Sequence, residues 1–405
     1  MARLWLVVAL LAPSLCPAQV TGTFSLEKST FAPGEPVFLT LTLHNEGKDS
    51  AEVHTADPYS FCSGYKIHIT RDAAPEAACF QASGGSCLSG ALSLGPGASH
   101  TERLLLNYRN NSQGDLQAPV SLPGNYTVDA SREIAYAPFG SNSRVYTAPD
   151  HSEVHQTFRL SVDNTLELSP TVYAPYIQQL DSKNDQVRRE AARALATLAP
   201  PALEPLLLTF ATSKDHVLKQ FAPLALANLA TKASLAALAQ MLLYTEPGSY
   251  EYMTAAEKLG KTHDLAWLPL LLEVANQHGA MYLSYAAESG GDAAIPALLT
   301  RLHNRDPNTR NAAIYALGRT GSRAAVPLLI SLLGLQANQE KGHGEDAAIS
   351  ANAALMQLTH VYAEQGPSGN AIPSWQSRWQ HWWRTSGSSA TIYRPGECVA
   401  DAKLP

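Results

Sequence analysis

Residues Asp306 to Leu329 read DPNTRNAAIYALGRTGSRAAVPLL and carry the clearest helical pattern in the chain. An aspartate precedes a run in which small and apolar residues recur every three or four positions, which is the spacing of one helix face. Gly318 and Gly321 then interrupt the run, and a second apolar run begins at Ala324. The pattern predicts two short helices joined by a tight turn, with the aspartate capping the first helix.

The same pattern recurs through the second half of the chain. Clear copies begin at Asp185 and Asp215, and weaker copies begin near Tyr252 and Tyr282. One helix pair cannot bury its apolar face alone, so stacked copies have to supply the core. The sequence therefore predicts an α-solenoid of helix pairs over residues 170–365.

The copy at 306–333 resembles HEAT repeats, especially the short kind found in the phycobilisome-lyase family. The matching positions are the aspartate, the arginine four residues later, the paired alanines, Ala-Leu-Gly and Pro-Leu-Leu. Solenoids of this kind offer extended binding surfaces, so the resemblance implies a protein partner. We predict no cofactor.

Charged residues recur at matching positions of these repeats. They are Arg188, Arg189, Arg193, Arg310, Asp185, Asp215 and Asp306. In HEAT-like stacks such positions resemble ladders of ion pairs and helix caps between neighbouring repeats. The alternative is a charged groove for an extended partner.

Residues 19–169 have a different residue pattern, in which apolar and polar residues alternate. Leu39, Leu41 and Leu43 alternate with Thr40 and Thr42, which predicts a strand with one buried face. Further short alternating runs, separated by Gly/Pro turns, predict a β-sandwich.

The succession from Phe31 to Val37, then a strand and Asn45, then Pro123–Tyr126, resembles bacterial immunoglobulin-like domains. The predicted fold class is thus a multidomain β + α chain: an N-terminal Ig-like β-sandwich followed by an α-solenoid of HEAT-like helix pairs.

Met1–Ala18 has the order of a secretory signal: Arg3, an apolar stretch, then small residues. The predicted cut follows Ala18, which places the protein in the periplasm or outside the cell. Past this segment the sequence contains no apolar run of about 18 residues, so no membrane span is predicted.

Four cysteines follow the predicted signal, and an exported protein would pair them in two disulfides. We favour Cys79–Cys87, which closes a short loop, with Cys62–Cys398 as the second pair. A zinc site is the rival interpretation, but the sequence contains no C-x-x-C pair.

Residues 366–405 form a Trp-rich C-terminal cap and tail in this scheme. Trp375, Trp379 and Trp382 fall on one helix face, and Trp383 lies off it. The segment resembles the helix that often ends exported bacterial HEAT proteins, which implies a seal on the last repeat. As binding residues for a glycan or peptide we single out Trp375, Trp379 and Trp383.

His151, Glu153 and His155 would share one face of a strand, and with one more ligand they could suit a metal. The simpler interpretation is a polar, solvent-facing strand edge. We therefore predict no metal site here.

The sequence carries no H-E-x-x-H, G-x-S-x-G or P-loop motif, which lowers the prospect of an enzyme. Lys and Arg total 29 against 35 Asp and Glu, a net charge of −6, so no basic excess points to nucleic acid. We predict a non-enzymatic exported scaffold that binds a protein. The alternatives are a cell-wall or carbohydrate-binding module, a lyase-like or metal-dependent enzyme, and a protease-inhibitor-like sandwich.

Overall fold

The described part of the chain forms two compact units. The computed structural model describes residues 20–56, 64–72, 89–107, 120–138, 150–334, 343–362, 372–387, 389–394 and 402–403. The first, the strand unit, ends at Leu166, and the second, the helix unit, begins at Glu167.

The strand unit contains two sheets. Its strands are β1 (Val20–Leu26), β2 (Thr30–Phe31), β3 (Phe38–Asn45), β4 (Ala51–Ala56), β5 (Tyr65–Arg71), β6 (Ser89–Leu94), β7 (Ser99–Leu105), β8 (Gly124–Pro138) and β9 (Asp150–Val162). One sheet has the order β1-β3-β7, and the other has the order β2-β9-β8-β4-β6 with β5 also paired to β8.

The larger sheet is mixed, because β2 runs parallel to β9 while the other pairs are antiparallel. The strand-rich character follows the expectation from sequence. The finer assignment, an immunoglobulin-like sandwich, stays a prediction.

A single hydrophobic core joins the two sheets. Leu39, Leu41 and Leu43 are fully buried, as their alternation predicts, and they belong to one cluster with Val128 and Ile134 of the other sheet. Burial of such aliphatic side chains contributes about 1.5–3 kcal/mol each.

Strand β7 begins at Ser99 and ends at Leu105. It pairs with β3 in an antiparallel register in which Phe38 faces Leu105 and His44 faces Ser99. Pairing along the whole of β3 therefore sets the bounds of β7.

The helix unit is built from successive helix pairs. The first helices of the pairs are α2 (Asp185–Leu198), α4 (His216–Leu229), α6 (Tyr250–Gly260), α8 (Leu283–Gly290), α10 (Pro307–Arg319) and α12 (His343–Thr359). The second helices are α3 (Glu204–Phe210), α5 (Lys232–Tyr244), α7 (Leu268–His278), α9 (Ile295–Leu302), α11 (Ala325–Leu332) and α13 (Ile372–Trp382). A short helix, α1 (Ala174–Gln179), precedes them, and two-residue strands β10 (Val361–Tyr362) and β11 (Ala402–Lys403) pair in parallel.

Consecutive first helices pack directly on one another, from α2 on α4 through to α10 on α12. Small residues make this close approach feasible. A Cβ on Gly260 would lie 2.8 Å from the Tyr285 carbonyl oxygen, and one on Gly318 would lie 2.7 Å from the Ala354 Cβ. Larger side chains at these two glycines would force the neighbouring helices apart.

Side-chain caps start α2, α4, α6 and α10, whereas α8 begins without one. The Asp215 carboxylate accepts from the Val217 N–H at 2.8 Å, and the Asp306 carboxylate accepts from the Thr309 N–H at 3.0 Å. At α2 the cap is Asn184 and not the expected Asp185, which occupies the first helical position. Among the helices described, none combines the length and apolar character needed to cross a membrane.

Candidate functional site

A buried ionic seam crosses the middle of the helix unit. Glu288 of α8 and Arg319 of α10 lie 31 residues apart, and their side chains form an ion pair. The Glu288 side chain is fully buried and that of Arg319 is 14% exposed. Such a pair fixes the register of two neighbouring repeats.

Glu257 of α6 occupies the equivalent position one repeat earlier and pairs with Lys261. Burial acts to raise the pKa of Glu257, but the positive charges of Lys261, Lys258 and Arg319 together outweigh it and the pKa is lowered. Burial raises the pKa of Glu288 despite the opposing Arg319 guanidinium. Burial, with both carboxylates nearby, raises the pKa of Tyr285 to about 12. The Glu288–Arg319 pair is largely closed to solvent and serves packing between repeats, whereas the Glu257 and Lys261 side chains are each more than a quarter exposed.

An aromatic cluster lies at the starts of α6 and α8. The ring of Tyr252 meets the rings of Tyr282 and His278 edge-on, each with centroids 5.5 Å apart. The Gly248 backbone hydrogen-bonds the Tyr282 hydroxyl, which places the loop between α5 and α6 beside the start of the next repeat.

Large apolar side chains stand exposed around this cluster. Tyr244 is 83% exposed, Leu243 66%, and Tyr250 and Met281 56% each. We call these four residues the tyrosine edge. Sequence reasoning missed it, although Tyr250 and Met281 are 31 residues apart and so occupy equivalent repeat positions.

The predicted charge ladder is confirmed at the first two repeats. The Arg188 guanidinium lies 2.5 Å from Asp185 and 3.1 Å from Asp215 of the next repeat. The Arg189 guanidinium donates to the Gln220 side-chain oxygen at 2.7 Å. These contacts link α2 to α4 and leave little of Arg188 for a partner.

Two other predicted ladder arginines make different contacts. Arg193 lies over the Phe221 ring at 5.4 Å from its centroid. Arg310 donates to the backbone oxygens of Asn304 and Arg305, at 2.8 and 3.0 Å. Both therefore also brace the fold.

The C-terminal tryptophans lie mostly in the core. Trp375 and Trp382 are each 6% exposed and Trp379 is fully buried. The Trp379 Nε1–H donates to the Asn352 side-chain oxygen at 2.8 Å, and its ring meets that of Trp382 edge-on. This burial favours the cap over the binding platform, for which only the half-buried Trp383 offers any ring surface.

The His151, Glu153 and His155 side chains are all exposed on β9. His151 Nδ1 lies 3.3 Å from Glu133, and His155 Nε2 lies 2.7 Å from Asp129, both on neighbouring β8. In the part of the chain that the structure describes, no three His, Cys, Asp or Glu residues are grouped to hold a metal ion.

The four cysteines of the predicted disulfides, Cys62, Cys79, Cys87 and Cys398, lie outside the described residues. Their pairing stays a prediction.

A second buried ion pair, which sequence reasoning also missed, joins the two sheets of the strand unit. Arg132 of β8 pairs with Glu102 of β7, and the Tyr65 hydroxyl donates to the same carboxylate at 2.5 Å. Burial and the Glu102 carboxylate raise the pKa of Tyr65. Burial, with help from the Arg132 charge, lowers the pKa of His54.

Comparison with known families bears on the helix unit. Residues 173–260 and 277–341 match the sequence model of the HEAT repeats. This part of the chain is similar to the HEAT repeats. HEAT repeats are generally scaffolds for protein interaction. The two matched segments include Glu288, Arg319 and all four residues of the tyrosine edge.

Three solved structures are similar to the chain at low scores. The complex of CpcE and CpcF of phycocyanin lyase from a Nostoc species has 18% identity and a TM-score of 0.32, covering 55% of this chain and 92% of that one. An engineered protein has 20% identity and a TM-score of 0.26, covering 45% and 96%. Spo0M, a sporulation control protein of Bacillus subtilis, has 15% identity and a TM-score of 0.18, covering 40% and 55%. No curated protein matches the sequence. These scores assign neither an activity nor a partner.

Proposed function

We propose that the chain is an exported, non-enzymatic scaffold that presents its HEAT repeats to a protein partner. The match of two long segments to the HEAT repeats carries the proposal. Stacked helix pairs create an extended surface, and such surfaces bind by area and shape more than by a reactive group.

The chemistry of the described residues supports a binding role. The strongest ionic contacts, Glu288 with Arg319 and Glu102 with Arg132, are buried and paired. Such pairs serve packing, whereas the large apolar side chains at the tyrosine edge face solvent. Exposed apolar side chains that cluster on one edge are typical of interaction sites.

Photo-crosslinking in the native cells tests the scaffold. A benzophenone amino acid replaces, one at a time, Tyr315 and Ile349 on first helices and Thr300 and Ser331 on second helices. All four positions are exposed. A scaffold is expected to give the same crosslinked protein from neighbouring positions on one row and none from the other row. If no position captures a protein and the chain sediments with wall glycan, the carbohydrate module replaces the scaffold.

Export has its own test. The predicted signal, Met1–Ala18, should be absent from the mature protein, whose first residue would be Gln19. N-terminal sequencing of the protein from fractionated cells measures this directly. An intact N-terminus in the cytoplasmic fraction would remove export from the proposal and leave the scaffold role untouched.

A further inference from the structure

The tyrosine edge is built by two neighbouring repeats. Leu243 and Tyr244 end α5, and Tyr250 begins α6 after a tight turn in which the Ser249 N–H donates to the Glu246 carbonyl at 3.1 Å. The rings of Tyr252 and Tyr282 pack together, which brings Met281, at the start of the next repeat, close to the start of α6. First helices that pack directly lie about 8–10 Å apart, so a patch formed by the four exposed side chains is within reach of one partner segment.

The exposure of this patch is costly unless something covers it. Tyr244 is 83% exposed, more than any other large hydrophobic residue in the part of the chain that the structure describes. Tyrosine is enriched at the centres of protein interfaces because its ring buries a large area while its hydroxyl tolerates water. The patch therefore has the chemistry of an interface core.

The charge around the patch selects the kind of partner. Glu246 lies in the loop and Glu251 in the first turn of α6, and the segment 243–252 contains no lysine or arginine. The basic residues that flank this segment in sequence are Lys232, at the far end of α5, and Lys258, in the last turn of α6. An apolar patch with an acidic rim complements a segment that carries positive charge beside its apolar side chains.

We propose that the tyrosine edge is the docking surface for a basic, amphipathic segment of a protein partner. This inference rests on the proposed scaffold function and adds the partner's chemistry and its place on the solenoid. Tyr244 and Tyr250 would anchor the apolar side chains, while Glu246 and Glu251 would face the lysines or arginines.

Fluorescence anisotropy with the full chain tests the proposal. The probes are three short labelled peptides: one with alternating lysine and leucine pairs, one with glutamate in place of lysine, and one with serine in place of leucine. The lysine–leucine peptide is expected to bind at least about tenfold more tightly than either other peptide. Its affinity should fall with added salt, because the charge contacts are exposed.

Variants then locate the binding. The double variant Tyr244→Ala/Tyr250→Ala is expected to weaken the lysine–leucine peptide by at least about tenfold, and Glu246→Gln/Glu251→Gln should remove most of its salt dependence. Leu265→Ala is the matched control, because Leu265 is also 56% exposed but begins the turn before α7, away from the edge. Equal binding of the glutamate peptide, or unchanged affinity in the tyrosine variant, would overturn the proposal. Crosslinks from the helix rows would then still support the scaffold, so the two failures are distinguishable.

Discussion

Replacement of Arg132 by methionine is expected to lower the free energy of unfolding of the strand unit by about 3–5 kcal/mol. Arg132 is 1% exposed and pairs with Glu102, which is itself buried. Removal of the guanidinium leaves a buried carboxylate without its counter-charge, and the Arg132 hydrogen bond to the His54 carbonyl is also lost. The Tyr65 hydroxyl alone cannot offset that penalty.

Hydrogen exchange of the β8 and β9 amides measures this effect. Tryptophan fluorescence is blind to it, since residues 20–166 contain no tryptophan. The double variant Glu102→Gln/Arg132→Met should recover most of the loss, because glutamine keeps an acceptor for Tyr65 and carries no charge.

Arg159→Met is the matched control, an exposed arginine on β9 whose loss should change stability by no more than about 0.5 kcal/mol. If Arg132→Met behaves like Arg159→Met, the ion pair does not hold the sheets together.

The alternation of residues along β7 and β8 predicts that Arg132 and Glu102 are buried, although composition alone does not. Along β8 the residues at every second position from Tyr126 to Tyr136 are buried, and Arg132 falls in that series. Glu102 has the same relation to buried Leu104 on β7. Strand alternation therefore predicts both burials, but it cannot say that the two strands face each other across the core.

The helix pairs were predictable because alanine, leucine and an N-terminal aspartate repeat at fixed spacing. The repeat pattern is weaker in the copies near Tyr252 and Tyr282. In these copies the two tyrosines and Glu288 are buried, so residues other than alanine and leucine form part of the core.

The tyrosine edge could not be read from the sequence in the same way. Tyr244 and Tyr250 lie near helix ends, as the buried Tyr252 does. Near helix ends, periodicity does not distinguish exposed positions from buried ones. Exposure at a helix terminus depends on how far the neighbouring repeat extends. Only the packed structure contains that information.

The second large effect concerns the C-terminal tryptophans. Trp379→Ala is expected to destabilise the helix unit by about 3–5 kcal/mol, the cost of deleting a large buried aromatic side chain. Trp379 lies on α13, which packs on both α11 and α12. The last repeat would lose its seal, so the α12 amides should exchange faster than those of α2.

A conservative variant separates packing from hydrogen bonding. Trp379→Phe keeps most of the apolar volume but removes the donor to Asn352, whose side chain is 2% exposed. An unsatisfied buried acceptor costs about 1–3 kcal/mol. The free energy of unfolding of Trp379→Phe should therefore lie between those of the parent and Trp379→Ala. Chemical denaturation followed by tryptophan fluorescence suits both, because all tryptophans after Met1–Ala18 lie in the helix unit.

Arg384→Ala, at an exposed position just beyond α13, serves as the control and should change stability by no more than about 0.5 kcal/mol. If α13 is a cap, stability should rise from Trp379→Ala to Trp379→Phe to the parent. The α12 amides should lose the most protection against hydrogen exchange. If Trp379→Ala unfolds at the same denaturant concentration as the parent, the tryptophans do not close the solenoid. The burial of the tryptophans would then need another explanation, and the hypothesis of a glycan-binding platform would be favoured again. A terminal repeat has a neighbour on one side only, so a helix such as α13 that covers its free face would keep the apolar residues of that repeat from water.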